Sequence, residues 1–130
     1  MSTLLLLLAC AGVPETAPAV DYDHVACHHC AMLVSDPSFA AQLVTSEGDR
    51  RVYDDPACLF QDLEKTHPKV ERMWFRDSRG AEERWIPWNE AAFVPAKGAP
   101  MNGGYAAVPS GTPGAVGFGE ASGKAIGGGP

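Results

Sequence analysis

The stretch of this chain able to build a core is short, and that limits every fold open to it. Of 130 residues, an apolar run ends at Leu8, a proline-bearing segment occupies residues 10–21, and residues 109–130 are dominated by glycine and proline. Roughly 85 residues, 22–108, remain to form one small domain. A core of that size is marginal by surface-to-volume scaling, so a metal or a disulfide would help to hold it. Cysteines are therefore the first residues to place. There are four: Cys10, Cys27, Cys30 and Cys58.

Cys10 stands apart from the others. Leu7-Leu8-Ala9-Cys10 resembles a lipobox, which marks a cysteine for lipidation and cleavage before it, so residues 1–9 read as a signal peptide. An apolar run this short cannot span a bilayer, and a lipid on Cys10 would anchor the chain instead. The expected location is the cell envelope, facing the periplasm or another extracytoplasmic space. Residues 10–21, with two prolines and small side chains, read as a flexible tether. The net charge is −6, from 10 basic and 16 acidic residues. Without a basic cluster, nucleic acid is not an expected partner.

Between tether and tail the pattern is α+β. Phe39 to Thr45 alternates as a strand, Glu47-Gly48-Asp49 turns, and Arg51-Val52-Tyr53 returns as a second strand. Asp54-Asp55-Pro56 reads as a capped helix start, with Leu59, Phe60 and Leu63 on the apolar face; the helix runs to about Lys65 before Pro68. Val70 to Arg76 is a strand, residues 77–80 turn, and Arg84-Trp85-Ile86 pairs back until Pro87. A short helical turn over residues 89–92 precedes Phe93-Val94-Pro95. The order reads strand-strand-helix, then strand-strand with a short helix and a further strand, which makes two similar small units. Residues 109–130 read as a loosely packed tail.

The chemistry concentrates in Cys27-His28-His29-Cys30-Ala31-Met32, with two thiols, two imidazoles and a thioether in six residues. Cys30 and Met32 are two apart, so in an extended segment their sulfurs point the same way. A thiolate with a thioether is a soft donor set, suited to Cu(I) rather than to Zn(II), Mg(II) or Ca(II). Met101 lies in a glycine- and proline-rich loop able to bring it to another element. Cys58, on the predicted helix, and His28 and His29, beside the cysteines, are candidate supporting or ligating residues. Cys-x-x-Cys alone also fits a disulfide, half a zinc site or a redox pair. Asp54 and Asp55 read as cap residues, and no catalytic arrangement stands out.

Four segments in order resemble the NosL family. They are Cys30-Ala31-Met32-Leu33-Val34-Ser35-Asp36-Pro37, Tyr53-Asp54-Asp55-Pro56-Ala57-Cys58-Leu59, Trp74-Phe75-Arg76-Asp77 with Trp85-Ile86, and Pro100-Met101-Asn102-Gly103-Gly104. Ala31 stands where the family pattern has glycine, and Ala99 where it has threonine. The resemblance implies a fold similar to the metal-binding part of organomercurial lyase, here two small strand-strand-helix-strand units. It implies a Cu(I)-binding lipoprotein, not an enzyme, serving nitrous oxide reductase or its assembly transporter complex. It further implies Cu(I) ligation by Cys30, Met32 and Met101, with Cys27 as a fourth contact. Two other readings compete. One is an organomercurial-lyase-like enzyme using Cys30 with Cys58; the other is an envelope module stabilised by Zn(II) or by a Cys27–Cys30 disulfide.

Overall fold

A computed structural model describes residues 12–80, 82–101 and 104–126. The leader and Cys10 lie outside the described residues, as do Asn102 and Gly103 of the Met101 loop. The architecture is mixed α+β, with two antiparallel sheets and two α-helices.

The first sheet is built around β1 (Ala41–Thr45), flanked by β2 (Arg50–Tyr53) and β3 (Val70–Arg76), with β4 (Trp85–Pro87) outside β3. The β1–β2 hairpin turns at Gly48, whose φ of 91° is open to glycine without strain. Every residue of β1 is buried, on both faces. One face meets the core through Ala41 and Leu43. The other includes Gln42, whose amide donates to Pro18 O (2.9 Å) and accepts from Arg50 Nε (3.1 Å). Arg50 also donates to Ala19 O (2.8 Å), and Val20 joins the core at 8 % exposure. The folded part therefore begins before Tyr22. The end of the expected tether supplies the carbonyls that a buried glutamine and its arginine need.

Helix α1 (Pro56–Thr66) starts as the sequence specifies. Asp55 is the N-cap, its carboxylate accepting from Cys58 N–H (3.0 Å), and Pro56 takes the first helical position. The helix ends at His67, left-handed at φ 45°, just ahead of Pro68. Its apolar side sends Leu59 and Phe60 into the core.

Two expectations are corrected here. The strands β3 and β4 do not open a second unit; they complete the first sheet, in the order β2-β1-β3-β4. The second unit is β5 (Ala91–Pro95) paired antiparallel with β6 (Tyr105–Pro109), followed by α2 (Phe118–Ile126). A 3-10 turn over Trp88–Glu90 leads into β5. Residues 109–130 are thus not uniformly a loose tail. Helix α2 forms despite Gly119 and Gly123, because Phe118, Ala121 and Ala125 fall on one face. Ala121 is fully buried, and Gln61 of α1 donates to Ala125 O. Packing supplies what propensity withholds.

An aromatic cluster joins the two units. Phe60 (α1) meets Phe93 (β5) at 5.3 Å and Phe118 (α2) at 5.2 Å between ring centroids, and Phe75 (β3) meets Phe93 at 4.9 Å. These are edge-to-face contacts, the favourable arrangement for aromatic quadrupoles. Among the described residues, no helix is long and apolar enough to cross a membrane.

Candidate metal centre

The loop that carries the sulfurs is closed at its neck. Ala26 and Leu33 pair across it, Cys27 N–H donates to Met32 O (2.7 Å), and Ala31 N–H to Cys27 O (2.9 Å). His28 N–H donates to Val52 O (2.8 Å), which pins the loop to the end of β2. The turn needs a left-handed residue, and Ala31 supplies it at φ 66°. For a residue with a Cβ this conformation is strained. It is also the position where the resembling family has glycine.

That left-handed residue overturns the extended geometry expected for Cys30-x-Met32. Alternation of side chains holds only for extended backbone. Here the turn separates the two sulfur residues in environment: Cys30 is half-buried, whereas Met32 is 57 % exposed.

Cys30 instead meets Cys27 and Cys58. The three sulfurs all lie within 4.8 Å of one another. Three sulfurs bound to one ion at bonds of about 2.3 Å stand about 4 Å apart in a trigonal arrangement, so the spacing suits a shared ion. Cys27 and Cys58 are 2 % and 1 % exposed, and Cys30 occupies the more open side. The cluster could hold a metal ion. Cys58 arrives from the first turn of α1, where the N–H ends of the helix favour negative charge.

The three thiols do not share charge equally. Cys27 is held well below the usual thiol range, at about 5. The leading cause is a hydrogen bond from Cys58, joined by the backbone N–H groups of Cys30, Asp54 and His29; burial opposes them. Cys58 is correspondingly pushed up, first by that hydrogen bond and then by burial and the adjacent Asp55 carboxylate. Burial raises Cys30 as well. Asp54 is raised to about 6, by burial first and then by the charge on Cys27. Of the three thiols, Cys27 is therefore the one that gives up its proton first.

Asp55 ties in the remaining sulfur loop. While one carboxylate oxygen caps α1 at Cys58 N–H, the other accepts from Met101 N–H (2.9 Å). The Met101 backbone is thereby fixed beside the helix start that carries Cys58. Met101 is 40 % exposed, so both methionines, Met32 and Met101, are open to solvent, unlike Cys27 and Cys58. His28 and His29 lie outside the cluster; the His28 ring sits edge-on to Tyr53 at 6.2 Å.

Cys58 was only a supporting candidate in the sequence. The readable signal was its place at the third residue of a helix whose Asp-Pro start was already evident. What could not be read was that the 27–30 loop folds back onto that start. Compared with models of known protein families, with curated proteins and with solved structures, the chain matches none. The class that fold and site define is a small α+β protein with a three-cysteine cluster suited to a metal ion.

Proposed function

We propose that this protein is an envelope copper chaperone that binds Cu(I) at Cys27, Cys30 and Cys58 and gives it up through the side bearing Cys30, Met32 and Met101. The observation that carries the reading is the convergence of three thiols within 4.8 Å, two of them buried and one half-exposed. Thiolates and thioethers select soft ions, and Cu(I) is stable with two or three such ligands. A carrier must hold its ion against solvent yet release it to a partner's ligands. Buried Cys27 and Cys58 serve the first need. The open edge at Cys30 serves the second by allowing stepwise ligand exchange, with the exposed Met32 and Met101 as the proposed relay.

The NosL-like segments support the same reading, and with it lipidation at Cys10, attachment to the envelope membrane, and delivery to nitrous oxide reductase or its assembly transporter complex. On this view the chain performs binding and transfer, not catalysis. Met32 and Met101 are ligands of the exchange state, with Cys27, Cys30 and Cys58 as the resting set.

The test is an anaerobic Cu(I) titration against a Cu(I)-specific chelator, with Zn(II) as competitor. One Cu(I) per chain, retained against zinc and weakened at least 100-fold in Cys58→Ser and Cys30→Ser, is the expected result. Met32→Leu and Met101→Leu should slow transfer to an acceptor chelator while changing affinity less. Tight Zn(II) retention with weak Cu(I) binding would instead make the cluster a structural zinc site.

A further inference from the structure

Among the described residues, the ligand atoms gathered within 4.8 Å are three thiols, with no imidazole or carboxylate among them. Two buried carboxylates stand at the helix start beside this cluster, Asp54 and Asp55, and Asp55 accepts from Cys58 N–H. A singly charged cation held by three thiolates would leave two uncompensated negative charges there. Buried net charge is costly unless it is paired. A trivalent centre held by the same three thiolates leaves none.

Arsenic(III) and antimony(III) meet both conditions. Each takes three sulfur ligands in a pyramid and keeps a lone pair where a fourth ligand would otherwise stand. We infer that the Cys27–Cys30–Cys58 cluster captures trivalent metalloids, as arsenite or antimonite. The proposal rests on the same three thiols as the copper reading and does not require copper binding.

The step is an exchange without electron transfer. Arsenous acid is neutral, so the chain's charge of −6 does not oppose its approach. Half-exposed Cys30 makes the first As–S bond, and Cys27 and Cys58 follow. Three As–S bonds form and three As–O bonds break. Each displaced hydroxide leaves as water, two of them taking the thiol protons of Cys30 and Cys58 and the third a proton from solvent, because Cys27 is already a thiolate, and arsenic stays trivalent throughout. The product is a neutral tris-thiolate sealed under the 27–32 loop, next to the two carboxylates.

The experiment is anaerobic titration of the reduced full chain with sodium arsenite, read by native mass spectrometry beside a Cu(I) titration of the same sample. The expected adduct has the mass of one arsenic less three hydrogens. Cys30→Ser and Cys58→Ser should each weaken binding at least 100-fold and leave an adduct that retains one hydroxyl, while Cys10→Ser changes nothing. Cys30 is half-exposed, so its variant serves even where Cys58→Ser fails to fold. A wild-type adduct that retains a hydroxyl, or affinity unchanged in both variants, overturns the inference. Tight Cu(I) with no arsenite adduct overturns it and leaves the copper reading standing. The arsenite adduct without Cu(I) binding does the reverse.

Discussion

The two halves of this molecule run in the same order, strand, strand, helix, yet only one carries the thiols. In the β1-β2-α1 half, two residues join strand to helix, and both are aspartates beside the cysteine cluster. In the β5-β6-α2 half, residues 110–117 make that junction, rich in glycine and without a cysteine. The second half contributes instead from the connection between β5 and β6, where Met101 N–H donates to Asp55. A tight, capped junction positions atoms well enough for a buried site. The longer connection leaves Met101 exposed. Equivalent topology therefore does not imply equivalent chemistry; junction length and the cap decide where a site can be built.

Core truncation gives the largest expected contrast between the halves. Phe60→Ala, in the buried centre of the aromatic cluster, should cost about 3–5 kcal/mol in urea unfolding. Phe118→Ala, on the less buried α2, should cost about half as much, on the order of 2 kcal/mol. Equal costs would break the idea that the first half is the better packed.

The thiolate should be visible by ultraviolet absorbance in the metal-free protein. One thiolate is expected to persist down to pH about 5 and to vanish in Cys27→Ser. Because this pKa lies below that of a free thiol, its contribution to stability is complete above about 8.5 and is lost as pH falls through about 5. Asp54 acts in the opposite sense. Its raised pKa favours the folded state below about 4, and that favour is lost as pH rises through about 6. A first thiol titrating near its ordinary value would remove the asymmetry within the cluster.

Asp55→Ala removes the cap of α1 and the acceptor of Met101 N–H together. It should lower stability by about 2 kcal/mol, more than an ordinary N-cap, and weaken Cu(I) retention with it. A loss of stability without any change at the metal would show that the cap and the sulfur loop are independent.

The smallest effects are expected as gains, one in each half. Ala31→Gly relieves a left-handed alanine and should add about 1 kcal/mol. Gly123→Ala, in a helical position with open space around the added methyl, should add about 0.5–1 kcal/mol by thermal melting. Failure of the second would mean that α2 is limited by something other than its glycines.

Much of the first half was legible because its signals are local. The Gly48 turn, the Asp55-Pro56 start and the Pro68 stop each act within a few residues, and the elements fall where those signals put them. The second half was less legible for the same reason. Tyr105–Pro109 is a strand of mostly small residues, and α2 carries two internal glycines, so both depend on distant packing partners. The site divides in the same way. Cys27 and Cys30 announce themselves by spacing, whereas the part played by Cys58 depends on a loop closing over a helix start about thirty residues away. The extended Cys30-x-Met32 geometry failed on one dihedral angle, which residue type alone does not fix.

The aromatic cluster has a consequence for how ligand binding would be felt. Because Phe60, Phe75, Phe93 and Phe118 pack together across both halves within one core, opening either half strips apolar contacts from the other. Opening should then be global, and a ligand at 100 times its dissociation constant adds about 2.7 kcal/mol to that single barrier against opening. Amide hydrogens in α2, which holds none of the three cysteines, should therefore exchange more slowly when the thiols are filled, by about 100-fold at that ligand excess.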